Sequence, residues 1–362
     1  MRRAFLFCPK FNDLVERMNE MSLHYFTEKV LNGKHLTRIE MNNAATQIFD
    51  QVDTTDEIKQ FLIALHQKGE TVDEIVGLVD VVMKYSIPLH VPSTQYFDNC
   101  GTGGDKLNTF NISTTTAFVL AGCGIPIAKH GNRKISSQSG SSDVLEALGI
   151  DIIQTQEQIA KQLSTLNIAF LHAPNFHPVL GSLREIRSDI SHATIFNLIG
   201  PLCNPAPLHS QIVGVNRVDL LEHYAQALHL LGRKRAIVIS GADGLDEASL
   251  HGVTQYAILQ NGAIKMQTIS PEQLGFERIT LNDIIGGTAQ QNADILMDVL
   301  SNKQSAFLDT VLLNAAFGLI AYGVASNFEM AIQLARYSIT SGKAFAKLRA
   351  MQQLHVKEGI AK

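Results

Sequence analysis

The alternation of hydrophobic and polar positions divides the chain into a helical segment and a following α/β segment. Across residues 22–89, apolar side chains recur three and four positions apart, which is the spacing of amphipathic helices. Thr71 and Glu74 indicate one helix start, because these two residue types cap each other's backbone N–H groups at this separation. Pro88 and Pro92 end the segment, since proline cannot continue a helix.

Beyond this point, short apolar runs rich in β-branched residues alternate with helical ones, which favours a mostly parallel sheet flanked by helices. We therefore predict the α/β class, with a small all-helical domain and a larger α/β domain built on a central, mostly parallel sheet. The predicted strands are 125–128, 168–171, 211–215, 236–239 and 256–259, and helices are predicted at 111–120, 143–149, 220–231 and 306–321.

The predicted domain boundaries follow from this division. Residues 1–21 form an N-terminal extension, and residues 22–92 form the small helical domain, which the helical segment 175–205 rejoins. Residues 93–174 and 206–362 form the α/β domain. The net charge of −4 argues against a nucleic-acid partner, because proteins that bind nucleic acids are usually basic.

The four cysteines lack the spacing of a disulfide framework or a zinc site. Cys8, Cys100, Cys123 and Cys203 are scattered singly, which favours a reducing compartment. No apolar run approaches the length of a membrane span, and residues 1–10 lack the features of a secretion signal. We therefore predict a cytoplasmic protein with no membrane partner.

A glycine-rich loop, Gly101-Thr102-Gly103-Gly104-Asp105, is the strongest chemical signal in the chain. Glycine allows left-handed backbone conformations and a close approach to an anion. The following Asn111-Ile112-Ser113-Thr114 predicts a helix start at which Ser113 and Thr114 act as capping residues. Because a helix N-terminus also offers N–H groups to an anion, the two motifs together predict a site for a phosphorylated ligand.

A second loop of similar character runs from Lys129 to Lys134 and continues through several serines to Ser141. It lies between a predicted strand and a predicted helix, and its cations and hydroxyl groups suit a pyrophosphate. A solvated basic turn is the alternative, but it accounts poorly for the glycine, asparagine and serines among the charges. Further along, the adjacent carboxylates Asp246 and Glu247 suit Mg²⁺, although an isolated acidic pair is more often the first turn of a helix. Asp243 is interpreted as a turn residue.

These motifs, in this order and spacing, resemble the anthranilate phosphoribosyltransferase family. The resemblance continues through residues 197–205 and 244–247, and covers the chain from about Ser22 to near its C-terminus. It implies a nucleoside phosphorylase-like fold and a homodimer. It also implies transfer of phosphoribose from 5-phosphoribosyl-1-pyrophosphate to the amino group of anthranilate, with release of pyrophosphate, in the second step of tryptophan biosynthesis from chorismate.

The resemblance also implies the site. Catalysis would come from positioning and electrostatics, with no covalent nucleophile. Mg²⁺ would be held by Ser113, Asp246 and Glu247. Anthranilate would contact Gly101, Asn132 and Arg187, whose guanidinium fork suits a carboxylate. The donor, 5-phosphoribosyl-1-pyrophosphate, would be bound by Gly101, Gly104, Asp105, Thr109, Asn111, Ile112, Ser113, Thr114, Lys129, His130, Gly131, Asn132, Arg133, Ser136, Ser137 and Ser141.

Departures from the family pattern leave the acceptor open. Gln138, Gly181, Glu185 and Ala193 differ from the residues usual at these positions, so a related transferase with another aromatic amine acceptor is one alternative. A pyrimidine nucleoside phosphorylase, which shares the fold, is another, but the glycine loop and the acidic pair fit the transferase better. A nucleic-acid-binding relative should have lost the phosphate loops and gained a basic surface, and neither is true of this sequence.

Overall fold

The computed structural model describes residues 21–91, 95–133 and 139–359. These residues fall into two compact units. One comprises the chain up to Ser86 together with His177–Ile199, and the other comprises Ile87–Phe176 together with the chain from Gly200 onward. Nearly all of the predicted N-terminal extension lies outside the described residues.

The helices are numbered here in chain order. They are α1 (Leu23–Leu31), α2 (Arg38–Phe49), α3 (Thr55–Lys68), α4 (Val72–Lys84), α5 (Ile112–Gly122), α6 (Ser141–Ala147), α7 (Gln156–Leu166), α8 (Ala173–Phe176), α9 (Arg184–Ser188), α10 (Ile195–Leu198), α11 (Leu220–Leu230), α12 (Ala289–Leu300), α13 (Ala306–Tyr322), α14 (Phe328–Thr340) and α15 (Lys343–Gly359). Among the described residues, no helix is both long enough and apolar enough to cross a membrane.

The helical unit is built from α1 to α4, with α9 and α10 added from later in the chain. The predicted cap at Thr71 and Glu74 is confirmed, and similar capping boxes begin α2 and α3. The segment 175–205 was predicted to be helical, but residues 177–199 within it form only short helical pieces. The first is a 3-10 turn, Pro178–Gly181, which ends at Gly181, a poor helix former.

The α/β unit contains a seven-stranded sheet in the order β3-β2-β1-β4-β5-β6-β7. The pairs β3–β2, β2–β1, β1–β4 and β4–β5 are parallel, and the pairs β5–β6 and β6–β7 are antiparallel. The prediction of a mostly parallel sheet is therefore confirmed. The strands are β1 (Tyr96–Asp98), β2 (Ile127–Gly131), β3 (Ile168–His172), β4 (Leu208–Gly214), β5 (Arg235–Ser240), β6 (Thr254–Gln260) and β7 (Ala263–Ile269).

Two sequence expectations about this unit are wrong. Lys129 and His130 were assigned to a loop, but both are buried in β2 and pair in register with Phe170 and Leu171 of β3. At the start of α5 the N-cap is Asn111, with no side-chain cap, and Ser113 and Thr114 lie within the helix instead of capping it. The amide of Asn111 is engaged elsewhere, as described below.

Candidate active site

The glycine loop leaves the carboxyl end of β1, the strand between β2 and β4 in the sheet. Gly103 and Gly104 have φ values of 68° and 81°, which confirms that the loop uses left-handed backbone conformations. Its backbone is anchored across the sheet, because the N–H of Thr102 donates to the carbonyl of Gly214 at 2.9 Å. The N–H of Gly103 donates to the Asp246 carboxylate at 2.7 Å.

Asp246 is enclosed so closely that two neighbouring positions have room only for glycine. A Cβ on Gly101 would lie 2.5 Å from Oδ2 of Asp246, and one on Gly214 would overlap its carbonyl oxygen. The loop that carries Asp246 therefore packs directly against both the glycine loop and the end of β4. Sequence reasoning missed Gly214, because the requirement depends on a residue distant in the chain.

The residues predicted to hold Mg²⁺ come together. The hydroxyl of Ser113 donates a hydrogen bond to the Glu247 carboxylate, and burial raises the pKa of Glu247 to about 8. Burial, followed by the negative charge of Asp105, also raises the pKa of Asp246. Raised pKa values mean that the ionised carboxylates lack compensating charge, which a divalent cation would provide.

The donor set fits magnesium better than a metal caged entirely by protein. Within the ranges that the structure describes, no group of three or more His, Cys, Asp or Glu side chains could hold a metal ion. Two carboxylates and a hydroxyl are a typical protein contribution for Mg²⁺, which takes its remaining ligands from water and substrate oxygens. Asp105 has a second role, since it accepts the N–H of Leu107 at 3.1 Å and so stabilises the loop.

Lys129 is the buried cation of this site. It is 2% exposed, and its ammonium donates to the carbonyl of Asn99 at 3.1 Å. The fully buried Asp98 accepts hydrogen bonds from the side-chain amide of Asn204 at 2.8 Å and from the N–H of His130 at 3.2 Å. Burial raises the pKa of Asp98 to about 6, against the opposing effect of the Lys129 charge.

Sequence reasoning missed Asp98 and Asn204 as parts of the site. The sequence contains a signal that could have identified each residue. Asp98 lies just ahead of the glycine loop, and Asn204 falls within the 197–205 motif. Asn204 also donates to the carbonyl of Ala128 at 2.8 Å, and so links β1 to β2 beside Lys129.

The second predicted phosphate loop is described only in part. Ser136, Ser137 and Gln138 lie outside the described residues. The hydroxyl of Ser141 donates to the carbonyl of Asn132 at 3.1 Å, which closes the two ends of the loop on each other. A ring nitrogen of His130 lies 3.1 Å from the carbonyl of Gly200.

Arg133 and Gly131 have partners of their own. The Arg133 guanidinium pairs with Glu146 of α6 at 2.6 Å, an exposed ion pair of the kind that contributes little to stability. A Cβ on Gly131 would lie 2.5 Å from the hydroxyl oxygen of Ser141, so this end of β2 also favours glycine.

The remaining predicted donor contacts surround the start of α5. Thr109 forms an isolated antiparallel bridge with Ile285. Ile112 and Thr114 are 2% and 1% exposed, so Ile112 can offer a ligand only its backbone. Asn111 is held through its side-chain oxygen by Asn292 at 2.8 Å.

Arg187, the predicted anthranilate ligand, belongs to the helical unit. It lies on α9, and its guanidinium carbon is 5.3 Å from the centre of the Phe196 ring. Burial lowers the pKa of this guanidinium. The contact with the Phe196 ring positions the guanidinium, and the hydrogen-bonding edge of a guanidinium suits a carboxylate.

Comparison with known proteins defines the class. The profile of the glycosyl transferase family, a/b domain, matches residues 93–345, and that of the same family's helical bundle domain matches residues 25–86. The chain therefore belongs to this glycosyl transferase family, whose two parts are an N-terminal helical bundle and an α/β domain.

Individual relatives give the particular activity. The anthranilate phosphoribosyltransferase of Exiguobacterium sibiricum is 47% identical over 332 residues, which cover 92% of this chain and 98% of the relative. The crystal structure of the enzyme of that name from Thermus thermophilus superposes with a TM-score of 0.85 at 31% identity, and the match covers 91% of this chain and 99% of that one.

The anthranilate phosphoribosyltransferase of Saccharomyces cerevisiae was solved in complex with phosphoribosyl pyrophosphate (PRPP) and Mg. It has a TM-score of 0.85 at 29% identity, and the match covers 94% of this chain and 99% of that one. A second structure of the yeast enzyme, in complex with 4-fluoroanthranilate, matches with a TM-score of 0.84 at 28% identity and the same coverage. Within its family, the chain is thus an anthranilate phosphoribosyltransferase, an enzyme of tryptophan biosynthesis.

Proposed function

We propose that the residues assembled around the glycine loop bind 5-phosphoribosyl-1-pyrophosphate with Mg²⁺, and that Arg187 binds the carboxylate of anthranilate. The observation that carries the proposal is the convergence of the glycine loop and the start of α5 with the loop that carries Asp246 and Glu247, more than 100 residues later in the chain. Gly103 of the glycine loop donates to Asp246, and Ser113 at the start of α5 donates to Glu247. These contacts support the proposal, because they bring the backbone that would bind phosphate and the carboxylates that would bind Mg²⁺ to one place.

Each part of this site has a distinct task. The backbone N–H groups of the glycine loop and of the first turn of α5 would meet the phosphate oxygens. Ser113, Asp246 and Glu247 would hold Mg²⁺, which when bound offsets the negative charge of the departing pyrophosphate. Lys129 balances the carboxylates around it, because its charge lowers the pKa of both Asp98 and Glu247.

The transfer exchanges one bond for another. The anthranilate nitrogen forms a bond to C1 of the ribose, the bond from C1 to the pyrophosphate oxygen breaks, and the nitrogen loses one proton. The amine is a weak nucleophile, so the protein contributes by aligning the reactants and by stabilising charge on the leaving group. Arg187 would fix the acceptor through its carboxylate, which leaves the amine to react.

Anthranilate fluorescence tests the proposal directly. Wild-type protein should consume anthranilate after addition of PRPP only when Mg²⁺ is present. Arg187→Ala should raise the KM for anthranilate by about tenfold or more, because a charge-assisted pair is lost. Its KM for PRPP should change less than twofold.

Arg184→Ala is the matched control, since Arg184 is an exposed arginine on the same helix, α9, and should leave both KM values unchanged. Equal losses in the two variants would contradict the role of Arg187. Donor binding without anthranilate consumption would show that the acceptor is a different amine.

Two further expectations belong to this proposal, a homodimer and a cytoplasmic location. The helical unit exposes Leu31, Ile39 and Tyr25 by 58%, 41% and 45%, and apolar side chains of this kind suit a subunit interface. Cys100, Cys123 and Cys203 are free thiols, which suits a reducing compartment. Light scattering of the purified protein tests the dimer, and cell fractionation tests the location.

A further inference from the structure

Asn292 of α12 is a buried amide, 3% exposed, to which the proposed function assigns no role. Its Oδ1 accepts the N–H of Gly287 at 2.9 Å. Its Nδ2 donates to Oδ1 of Asn111 at 2.8 Å and to the hydroxyl oxygen of Ser139, also at 2.8 Å. Both of its N–H groups are therefore used, and both go to segments that surround the proposed donor site.

These hydrogen bonds determine the orientation of the side-chain amides of Asn292 and Asn111. A backbone N–H can only donate, so Asn292 must turn its oxygen to Gly287 and its nitrogen to Asn111. That nitrogen can also only donate, so Asn111 must turn its own oxygen to Asn292. One N–H of the Asn111 amide donates to the carbonyl of Ser139 at 3.4 Å, so its other N–H is the group we assign to the ligand. An N–H donor suits a phosphate oxygen, whereas a carbonyl oxygen would repel it.

The same contact joins two segments that are far apart in sequence. Asn111 occupies the N-cap position of α5, and Ser139 lies two residues before α6. Nδ2 of Asn111 also lies 3.4 Å from the carbonyl of Ser139, so the two segments touch beside Asn292. Asn292 thus contacts the ends of both predicted phosphate-binding motifs at once.

The chain just ahead of α12 is also hydrogen-bonded to the segment between the glycine loop and α5. The N–H of Gly286 donates to the carbonyl of Asn108 at 2.9 Å, and the N–H of Phe110 donates to the carbonyl of Ile284 at 3.1 Å. A Cβ on Gly286 would lie 2.7 Å from Oδ1 of Asn292. Such close packing leaves the Asn292 side chain little freedom to turn.

We propose that Asn292 is a positioning residue for the phosphoribosyl donor, which acts by holding the amide nitrogen of Asn111 toward the pyrophosphate and by tying Asn111 to Ser139. The proposal rests on the donor site proposed above. Asn292 touches no substrate itself, so its effect passes through Asn111.

The test is Asn292→Asp, which keeps the size of the side chain and reverses the polarity of its contacts with Asn111 and Ser139; the Ser139 hydroxyl can turn to donate, whereas the Asn111 oxygen cannot. A carboxylate can still accept from Gly287, but it cannot donate to Asn111. The Asn111 amide should then turn its nitrogen to the new carboxylate and its oxygen to the pyrophosphate. The KM for PRPP should rise by about tenfold, because a donor to a charged group is lost, while the KM for anthranilate should change less than twofold.

Gln290→Glu is the matched control, because it makes the same change of amide to carboxylate at an exposed position of α12. It should leave both KM values unchanged. A lowered melting temperature of Asn292→Asp with an unchanged KM for PRPP would mean that Asn292 only stabilises the fold, and would overturn the proposal.

A double-mutant cycle asks whether Asn292 acts through Asn111. In an Asn111→Ala background, Asn292→Asp should raise the KM for PRPP less than twofold further. A full tenfold rise in both backgrounds would overturn the proposal. Calorimetric titration of the wild type and Asn292→Asp with PRPP distinguishes failure of the donor site from failure of the Asn292 proposal. If the wild type does not bind PRPP, the proposed donor site is wrong. If both proteins bind PRPP equally well, only the role of Asn292 is wrong.

Discussion

Gly101 and Asp246 fit together so closely that the space for a side chain on one is occupied by the carboxylate of the other, with 2.5 Å between the ideal Cβ of Gly101 and Oδ2 of Asp246. The carboxylate lies there because the N–H of Gly103, 143 residues earlier in the chain, donates to the same oxygen. Asp246, the acid proposed to bind Mg²⁺, is thus positioned by the backbone of the glycine loop, so disturbing either should disturb both.

Gly101→Ala should therefore displace Asp246 without altering any polar group. Because a shift of about 1 Å in a catalytic group can cost about 100-fold in rate, we expect a loss of that order in kcat/KM for PRPP. Gly200→Ala is the control, since a Cβ at Gly200 meets nothing within 4 Å. Steady-state kinetics that show equal activity for the two variants would contradict the steric relationship.

Glu247→Gln should separate metal binding from stability. Burial penalises the ionised Glu247, as its raised pKa shows, so the amide should raise the melting temperature in the presence of a chelator. The Mg²⁺ concentration for half-maximal activity should rise by about tenfold or more, because Mg²⁺ prefers charged oxygen ligands. Glu329→Gln is the control, because Glu329 is an exposed acid on α14, and it should change neither the melting temperature nor the Mg²⁺ requirement. An unchanged Mg²⁺ requirement in Glu247→Gln would show that Glu247 is not a ligand.

Asp98 should make stability depend on pH in a defined window. Its pKa is 3.8 in an unstructured chain and about 6 in the folded protein. Between these values the unfolded chain loses a proton that the folded chain keeps. Stability is therefore lost as pH rises from about 4 to 6, on the order of 3 kcal/mol, and the loss ends above the folded pKa.

Urea unfolding of wild type and Asp98→Asn at several pH values measures this effect. The stability of the wild type should fall relative to that of the variant across the window, and the two should run parallel above it. If the unfolding free energies of the wild type and Asp98→Asn differ by the same amount at every pH, Asp98 titrates normally in the folded protein.

The Cys100 thiol should be unreactive although it lies beside the glycine loop. Burial raises its pKa to about 12, so very little thiolate exists near neutral pH. Iodoacetamide at pH 8 should leave Cys100 unmodified in the folded protein and alkylate it in urea, as peptide mass spectrometry would show. Cys100→Ala should keep at least half of the activity. Rapid alkylation of the folded protein would contradict this assignment.

Features encoded locally in the sequence were predicted well. The glycine loop, the cap at Thr71 and the apolar cores of β2 to β6 depend on neighbouring residues, and the structure contains all of them. Strand β1 was missed because it has only three residues, and β7 because most of its side chains are exposed and give no apolar pattern.

Errors arose where distant residues decide the outcome. The sequence around Lys129 looks like a basic loop, but pairing with β3 extends the strand through it. Asn292 lies in an ordinary helix, and its partners are 181 and 153 residues away, so no local pattern could reveal its contacts. The roles of Gly214 and Asn204 likewise depend on long-range contacts.

The place of β1 between β2 and β4 has a consequence for how the protein is made. β1 ends at Asp98, but one of its two parallel neighbours, β4, ends only at Gly214. At about 5–20 residues per second, a ribosome takes on the order of ten seconds to bridge that gap. During this time the apolar strand has an open edge, so a nascent chain stalled before β4 should be a substrate for chaperones.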